Sequence, residues 1–147
     1  MAGMTAQDAQ LHETPRRRGA VAVVLREEKF LVICRSHQVV APGAFCFPGG
    51  GIEPGESEEQ ALVREFQEEL GAAIRPLRRI WQSTTRWQVE LAWWLGEVPP
   101  DAVLAANPAE VAGVHWLSPA EMLAEARLLE SNRGFLAALA AGEIKLA

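Results

Sequence analysis

Gly50-Gly-Ile-Glu-Pro-Gly-Glu56-Ser-Glu-Glu-Gln-Ala-Leu-Val-Arg64-Glu65-Phe-Gln-Glu68-Glu69-Leu-Gly71-Ala72 is the stretch from which the rest of this 147-residue chain can be read. It divides into loop, helix and stop. Gly49, Gly50, Gly51, Pro54 and Gly55 make a tight turn. Ser57 then opens a helix: Gln60 stands three residues on, as in a Ser-x-x-Gln capping box, and Glu58 and Glu59 favour the positive end of the helix dipole. Gly71 closes the helix in the C′ position. At about 100° per residue, Leu62, Val63, Phe66 and Leu70 fall on one apolar stripe that should face a core. Glu65, Glu68 and Glu69, at i, i+3 and i+4, cluster on the adjacent flank. No Lys follows to relieve them, and Arg64 is the sole cation inside the helix. A hard divalent cation such as Mg²⁺, which takes oxygen ligands at about 2.0–2.1 Å, would resolve the repulsion. The plainer alternative, a solvated acidic face, suits any Glu-rich helix taken alone.

The wider spacing separates the two. A Gly at 50, a Glu at 56, Arg64-Glu65, then Glu68-Glu69 and Gly71 form a seven-residue pattern, matched by chance with odds on the order of 10⁻⁸ at any one start. This is the Nudix box, and the chain resembles the Nudix (MutT-type) hydrolases across about a sixth of its length. Ala72 departs from the family, which usually has a larger aliphatic residue there.

Composition bounds the surroundings. One domain is expected over residues 16–147, with residues 1–15, which show no periodicity, disordered. The net charge of −5 argues against binding nucleic acid polymers or anionic membranes. The two cysteines, Cys34 and Cys46, lack metal-ligand spacing and read as reduced core thiols of a cytoplasmic protein. No run of about 18 apolar residues and no signal-peptide pattern occurs.

Ala20–Leu25 and Phe30–Arg35 read as strands joined by a turn at Glu27-Glu28-Lys29, with Leu31, Ile33 and Arg35 on one face. Ile74–Ser83 reads as a strand interrupted by arginines. Trp87–Leu95 alternates, with Trp93 assigned to the core and Trp94 to a mixed face. Val111–Leu117 is the last strand. Ser118, with Pro119 and Glu121, caps a short helix, and Ser131 or Asn132 starts or interrupts a C-terminal helix. These elements predict α/β or α+β architecture with one mixed sheet, which the resemblance sharpens to the Nudix α/β/α sandwich.

The resemblance implies Mg²⁺-dependent hydrolysis of a nucleoside diphosphate linked to another group, with Mn²⁺ as a substitute. It assigns Glu65, Glu68 and Glu69 to the metal, with the Gly50 carbonyl beside them. It makes Glu56 and Arg64 an ion pair bracing the loop. Arg35, twelve residues before Phe47, matches an arginine that holds substrate phosphate, and Glu110, six residues before Trp116, matches a loop glutamate serving as metal ligand or base. Glu97 and Asp101 are the competing acids. Glu90 and Trp94 are candidates for the substrate face, Trp94 by stacking on a base. His37 and His115 read as non-catalytic. His37–Ala44 contains no Lys or Arg, which disfavours coenzyme A derivatives. A nucleotide-binding module without turnover is the alternative, and homodimers occur in the family.

Overall fold

The computed structural model describes residues 17–147, so the expectation of disorder at 1–15 falls outside the described residues. Eight strands and three helices follow in order among them: β1 (Arg18–Val23), β2 (Leu25–Arg26), β3 (Lys29–Arg35), β4 (Phe45–Cys46), β5 (Gly49–Gly51), α1 (Glu58–Leu70), β6 (Arg75–Thr84), β7 (Glu90–Glu97), β8 (Val111–Leu117), α2 (Pro119–Ala124) and α3 (Glu130–Ala140). The strands form two four-stranded sheets instead of the one expected. The first runs β5-β1-β7-β6 and is mixed, because β1 and β7 are parallel while the other neighbours are antiparallel. In the second, β3 carries β8 along its length, with β2 paired at Lys29 and Phe30 and β4 at Ile33 and Cys34. The apolar run from Ala20 is divided between the sheets: β1 stops at Val23 and β2 begins at Leu25.

Two buried clusters fill the faces. Ala20 and Ala22 of β1, with Leu31 and Ile33 of β3, meet Leu62, Phe66 and Leu70 of α1. Val23, Phe30 and Val32 point the other way, to Trp93, Phe47 and the Phe135 of α3. The alternation along β1 and β3 is the period-2 pleat, and it places α1 and α3 on opposite sides of the strands. Each of these large side chains contributes about 1.5–3 kcal/mol by leaving water. Trp93 stacks on Phe135 with centroids 5.0 Å apart, in the core as expected.

Three readings change. Val63 is 40% exposed, and Glu69 takes the buried place beside the apolar stripe of α1. Trp87 lies in the β6–β7 turn, 63% exposed under the guanidinium of Arg86, because the strand begins at Glu90. Helix α3 starts after Leu129 without a side-chain cap, and Asn132 is buried inside it. The capping boxes at Ser57 and Ser118 both form, and Gly71 closes α1 with a left-handed φ of 61°.

Candidate active site

The turn that precedes α1 is fixed from both faces. Asn132 Oδ1 accepts the Phe47 N–H at 2.9 Å, and the Pro48 carbonyl accepts the Ala22 N–H at 2.8 Å. Gly49 then takes a φ of 156°, and a Cβ there would stand 2.3 Å from the Ala20 carbonyl oxygen. Its N–H donates to Glu69 Oε1 at 2.9 Å. At Gly50 a Cβ would lie 2.3 Å from the Glu65 carboxyl carbon, so the missing side chain is the space in which Glu65 sits. The two glycines let the backbone approach the carboxylates of α1 directly.

Arg64 ties turn to helix. Its Nε and Nη2 donate to the two oxygens of Glu56 at 2.7 and 2.9 Å, a bidentate pair, and Nη2 also donates to the Gly51 carbonyl at 2.9 Å. Its Nη1 donates to Glu65 Oε1 at 2.9 Å and reaches Glu68 at 3.4 Å. The Arg64 bond, helped by the Glu53 N–H, pulls the Glu56 carboxyl down to about 2, and Glu56 in turn raises Arg64. Arg64 is thereby engaged on the turn side of the acidic flank.

Two acids of the flank are raised. Burial pushes Glu69 up to about 8 against the pull of the Gly49 N–H, with the charges of Glu65 and Glu110 adding to the rise and Arg35 opposing it. Burial also raises Glu65, opposed by Arg64. Glu65 lies against Gly50 and Glu69 against Gly49, and the charges of Glu110 and Arg35 reach Glu69. Glu68 stands at the margin of this group, with its side chain 47% exposed.

Arg35 ends β3 where the pairing with β8 shifts register between Cys34 and Arg35, an irregularity that re-aims the side chain. Its Nε donates to the Val40 carbonyl at 2.6 Å. Glu110 enters β8, and its Oε2 is buried with no hydrogen-bond partner among the described residues. The loop before β8 is fastened at both sides: Ser36, just past β3, holds it on one, and Asn107 holds it to the end of α1 on the other. Neither residue was singled out from the sequence. Asn107-Pro108 read only as loop, although Asn at that position can bond the backbone two residues on, as its Oδ1 does to the Ala109 N–H at 3.1 Å.

Glu90 and Trp94 lie elsewhere. Trp94 is half-buried against the α1 cluster, and its Nε1 donates to Glu58 Oε1 at 2.8 Å, at the opposite end of α1 from Glu69. Glu90 lines a small cleft there with Arg18, Ile52, Glu58, Arg79 and Gln82. Glu97 pairs with Arg75 at the far end of β7, and Asp101 is exposed. His115 packs against Phe45 with ring centroids 5.3 Å apart. Cys46 is buried, and that burial pushes its thiol up to about 11, so it is an inert core group.

A glycine turn pressed against a carboxylate-bearing helix, in a layered mixed-sheet fold, is what the resemblance to phosphoric anhydride hydrolases of the Nudix type implies. The NUDIX domain model matches residues 15–139, and the chain belongs to that family. It is 32% identical over 106 residues to a Bacillus subtilis (strain 168) protein provisionally named 8-oxo-dGTP diphosphatase, covering 71% of this chain and 68% of that one. It is 48% identical over 50 residues to the CTP pyrophosphohydrolase of Escherichia coli (strain K12), covering 34% of this chain and 37% of that one. The chain thus spans little more than a third of that second relative's length. Among solved structures, the MutT protein from Methanosarcina mazei Go1 superposes with a TM-score of 0.75 at 23% identity, over 90% of this chain and 99% of that one, which fixes the fold. Among the described residues no helix is long and apolar enough to cross a membrane.

Proposed function

We propose that this chain is an Mg²⁺-dependent pyrophosphohydrolase that cleaves a nucleoside diphosphate linked to another group. The observation that supports it most is the buried, unpartnered Oε2 of Glu110, whose charge acts on both Glu65 and Glu69. A carboxylate oxygen withdrawn from water with no donor is costly, and two further carboxylates beside it increase the cost. A hard divalent cation fits this donor set: every candidate ligand is oxygen, and the helix cation Arg64 spends Nε and Nη2 on Glu56 and the turn, touching the set only at Glu65 and Glu68. Glu65, Glu68 and Glu69 would hold it, with the Gly50 carbonyl and Glu110 beside them, and Mn²⁺ would substitute. When bound, the ion offsets charge on the phosphate oxygens and makes water more acidic.

The chain's own groups do the rest. Glu110 takes the proton of the attacking water with the carboxylate oxygen it does not offer the ion, because the helix acids are engaged with Gly49 and Arg64. Arg35, with Nε spent on Val40, presents its terminal nitrogens to a phosphate oxygen. The Glu56–Arg64 pair keeps the turn closed on the helix. Both relatives named above take nucleoside triphosphates by name, so that class heads the substrate list.

The test is a panel of nucleoside triphosphates, 8-oxo-dGTP included, with nucleotide sugars and ADP-ribose, followed by phosphate and nucleotide product release. Turnover of at least one nucleotide should vanish in chelator and return with Mg²⁺ or Mn²⁺. Turnover that survives chelator, or binding of a nucleotide with no hydrolysis in Mg²⁺, would remove the proposal.

A further inference from the structure

The last carbonyls of a helix have no partner within it and must find donors elsewhere. At the end of α1 those donors come from the segment that carries Glu110. The Glu69 carbonyl accepts the Asn107 N–H at 2.9 Å, the Glu68 carbonyl accepts Asn107 Nδ2 at 3.3 Å, and the Leu70 carbonyl accepts the Ala105 N–H at 2.8 Å. Asn107 then turns its remaining groups the other way. Its Oδ1 accepts the Ala109 N–H at 3.1 Å, and its carbonyl accepts the N–H groups of Glu110 and Val111 at 2.9 and 2.7 Å. One residue thus bonds two helix carboxylate positions on one side and the Glu110 backbone on the other. From the opposite flank the buried Ser36 completes the hold: its N–H donates to the Glu110 carbonyl at 3.0 Å and its Oγ to the Ala109 carbonyl at 2.8 Å.

We propose that Asn107 is a positioning residue that fixes the Glu110 carboxylate against Glu65 and Glu69, with Ser36 as the second anchor. The inference rests on the reading of Glu110 as the base. Glu110 Oε2 has no hydrogen bond of its own to set its place, and the neighbouring carboxylates repel it. Its position therefore comes from the backbone, and the backbone is set by Asn107 and Ser36. Neither close substitute does the same work. Asn107→Asp would lose the donor to the Glu68 carbonyl and add a further negative charge beside the carboxylates, and the hydroxyl introduced by Asn107→Ser is too short to reach both sides.

The test is a double-mutant cycle on the full chain with a nucleotide substrate and Mg²⁺. Asn107→Ala should lower kcat about 10- to 100-fold with KM within about twofold, since misplacement of a reacting group by about 1 Å costs that much. In the Glu110→Gln background the same substitution should remove less than about a further twofold, because the group it positions is already disabled. Ser36→Ala should show the same non-additivity at smaller amplitude, and it carries the test if Asn107→Ala does not fold. Wild-type kcat in Asn107→Ala, or a loss that multiplies in full with that of Glu110→Gln, overturns the proposal. The two readings separate cleanly. If Glu110→Gln keeps wild-type kcat, the base assignment falls and the positioning role with it. If Glu110→Gln is slow and Asn107→Ala is not, the positioning role alone falls.

Discussion

Replacing Glu69 with glutamine should stabilise the metal-free protein while removing its activity. Burial holds the Glu69 carboxyl up at about 8, against 4.5 for an ordinary glutamate, and only 6% of the residue is exposed. A carboxyl raised by that much costs folding about 3 kcal/mol at pH 7, because the unfolded chain ionises it readily and the folded chain does not. The glutamine of Glu69→Gln would keep an acceptor for the Gly49 N–H and would gain an amide to offer the neighbouring carboxylates. Some of the gain is lost to imperfect geometry, so about half, near 1.5 kcal/mol, is the expected net, or a rise in Tm of about 3–6 °C for a chain of this size. The sign follows from the direction of the shift. A raised acid favours the folded state below the unfolded pKa, and that advantage is lost as pH rises from about 4.5 towards 8. Thermal melts of both proteins in chelator from pH 4 to 8.5 should therefore show the wild type weakening with pH and the variant nearly flat, the gap closing at the acid end. Added Mg²⁺ should raise the wild type and move the variant little. Turnover in the variant should be down by orders of magnitude. A variant that melts at or below the wild type in chelator at pH 7.5, or a gap that does not widen with pH, would refute the electrostatic account of this site.

Glu110→Gln should lower kcat about 10²- to 10⁴-fold with little change in KM, whereas Glu97→Gln and Asp101→Asn, which lie away from the carboxylates, should leave it nearly unchanged. Retention of more than about a third of kcat by Glu110→Gln would move the base role to a box glutamate. Glu56→Gln should lower Tm and activity together, because it opens the brace between turn and helix; weaker substrate binding at unchanged Tm would instead place Glu56 against substrate. Its depressed carboxyl also means that the wild type loses stability as pH falls from 4.5 towards 2, a loss that the variant should not share. Glu27 and Glu28 form the β2–β3 turn with φ values of 52° and 65°, a left-handed conformation that costs a residue with a side chain more than it costs glycine. Glu28→Gly should add about 1 kcal/mol and raise Tm by about 2–4 °C, read by thermal melts, with kinetics unchanged.

The helix and its ends were legible because each signal is local. A capping box and a C′ glycine need only the residues around them, and Ser57 and Gly71 stand where that logic puts them. The bracing of Glu56 by Arg64 came through the family pattern, across eight residues. What the sequence could not show is long-range. Whether Ala20–Leu25 is one strand or the junction of two sheets depends on partners at Gly49 and at Ala92 to Leu95, far along the chain. Trp94 alternates correctly, yet a helix residue 36 positions away takes its indole N–H, so exposure and stacking cannot be inferred from the alternation. Asn107 and Ser36 carry no pattern at all; their meaning is the pair of backbones they join. Val63 and Glu69 exchanged their expected environments because a helical wheel knows the angle of a residue but not what approaches it, and here a glycine backbone does.

The irregular outer strand β6 has a consequence for how copies of this chain can meet. It is ten residues long and lies at the border of its sheet, with one side of its ladder unfilled within the described residues. A ladder of that length is an open template for a neighbour's strand. Two register shifts, at Pro76/Arg78 and Arg79/Trp81, break the template into pieces too short to zip, and Pro76 withdraws a donor. Its arginines are turned to partners of their own, Arg75 to Glu97, Arg78 to the Lys145 carbonyl and Arg79 to Glu58. A copy approaching this border would meet broken register, so the sheet is poorly prepared to extend through it.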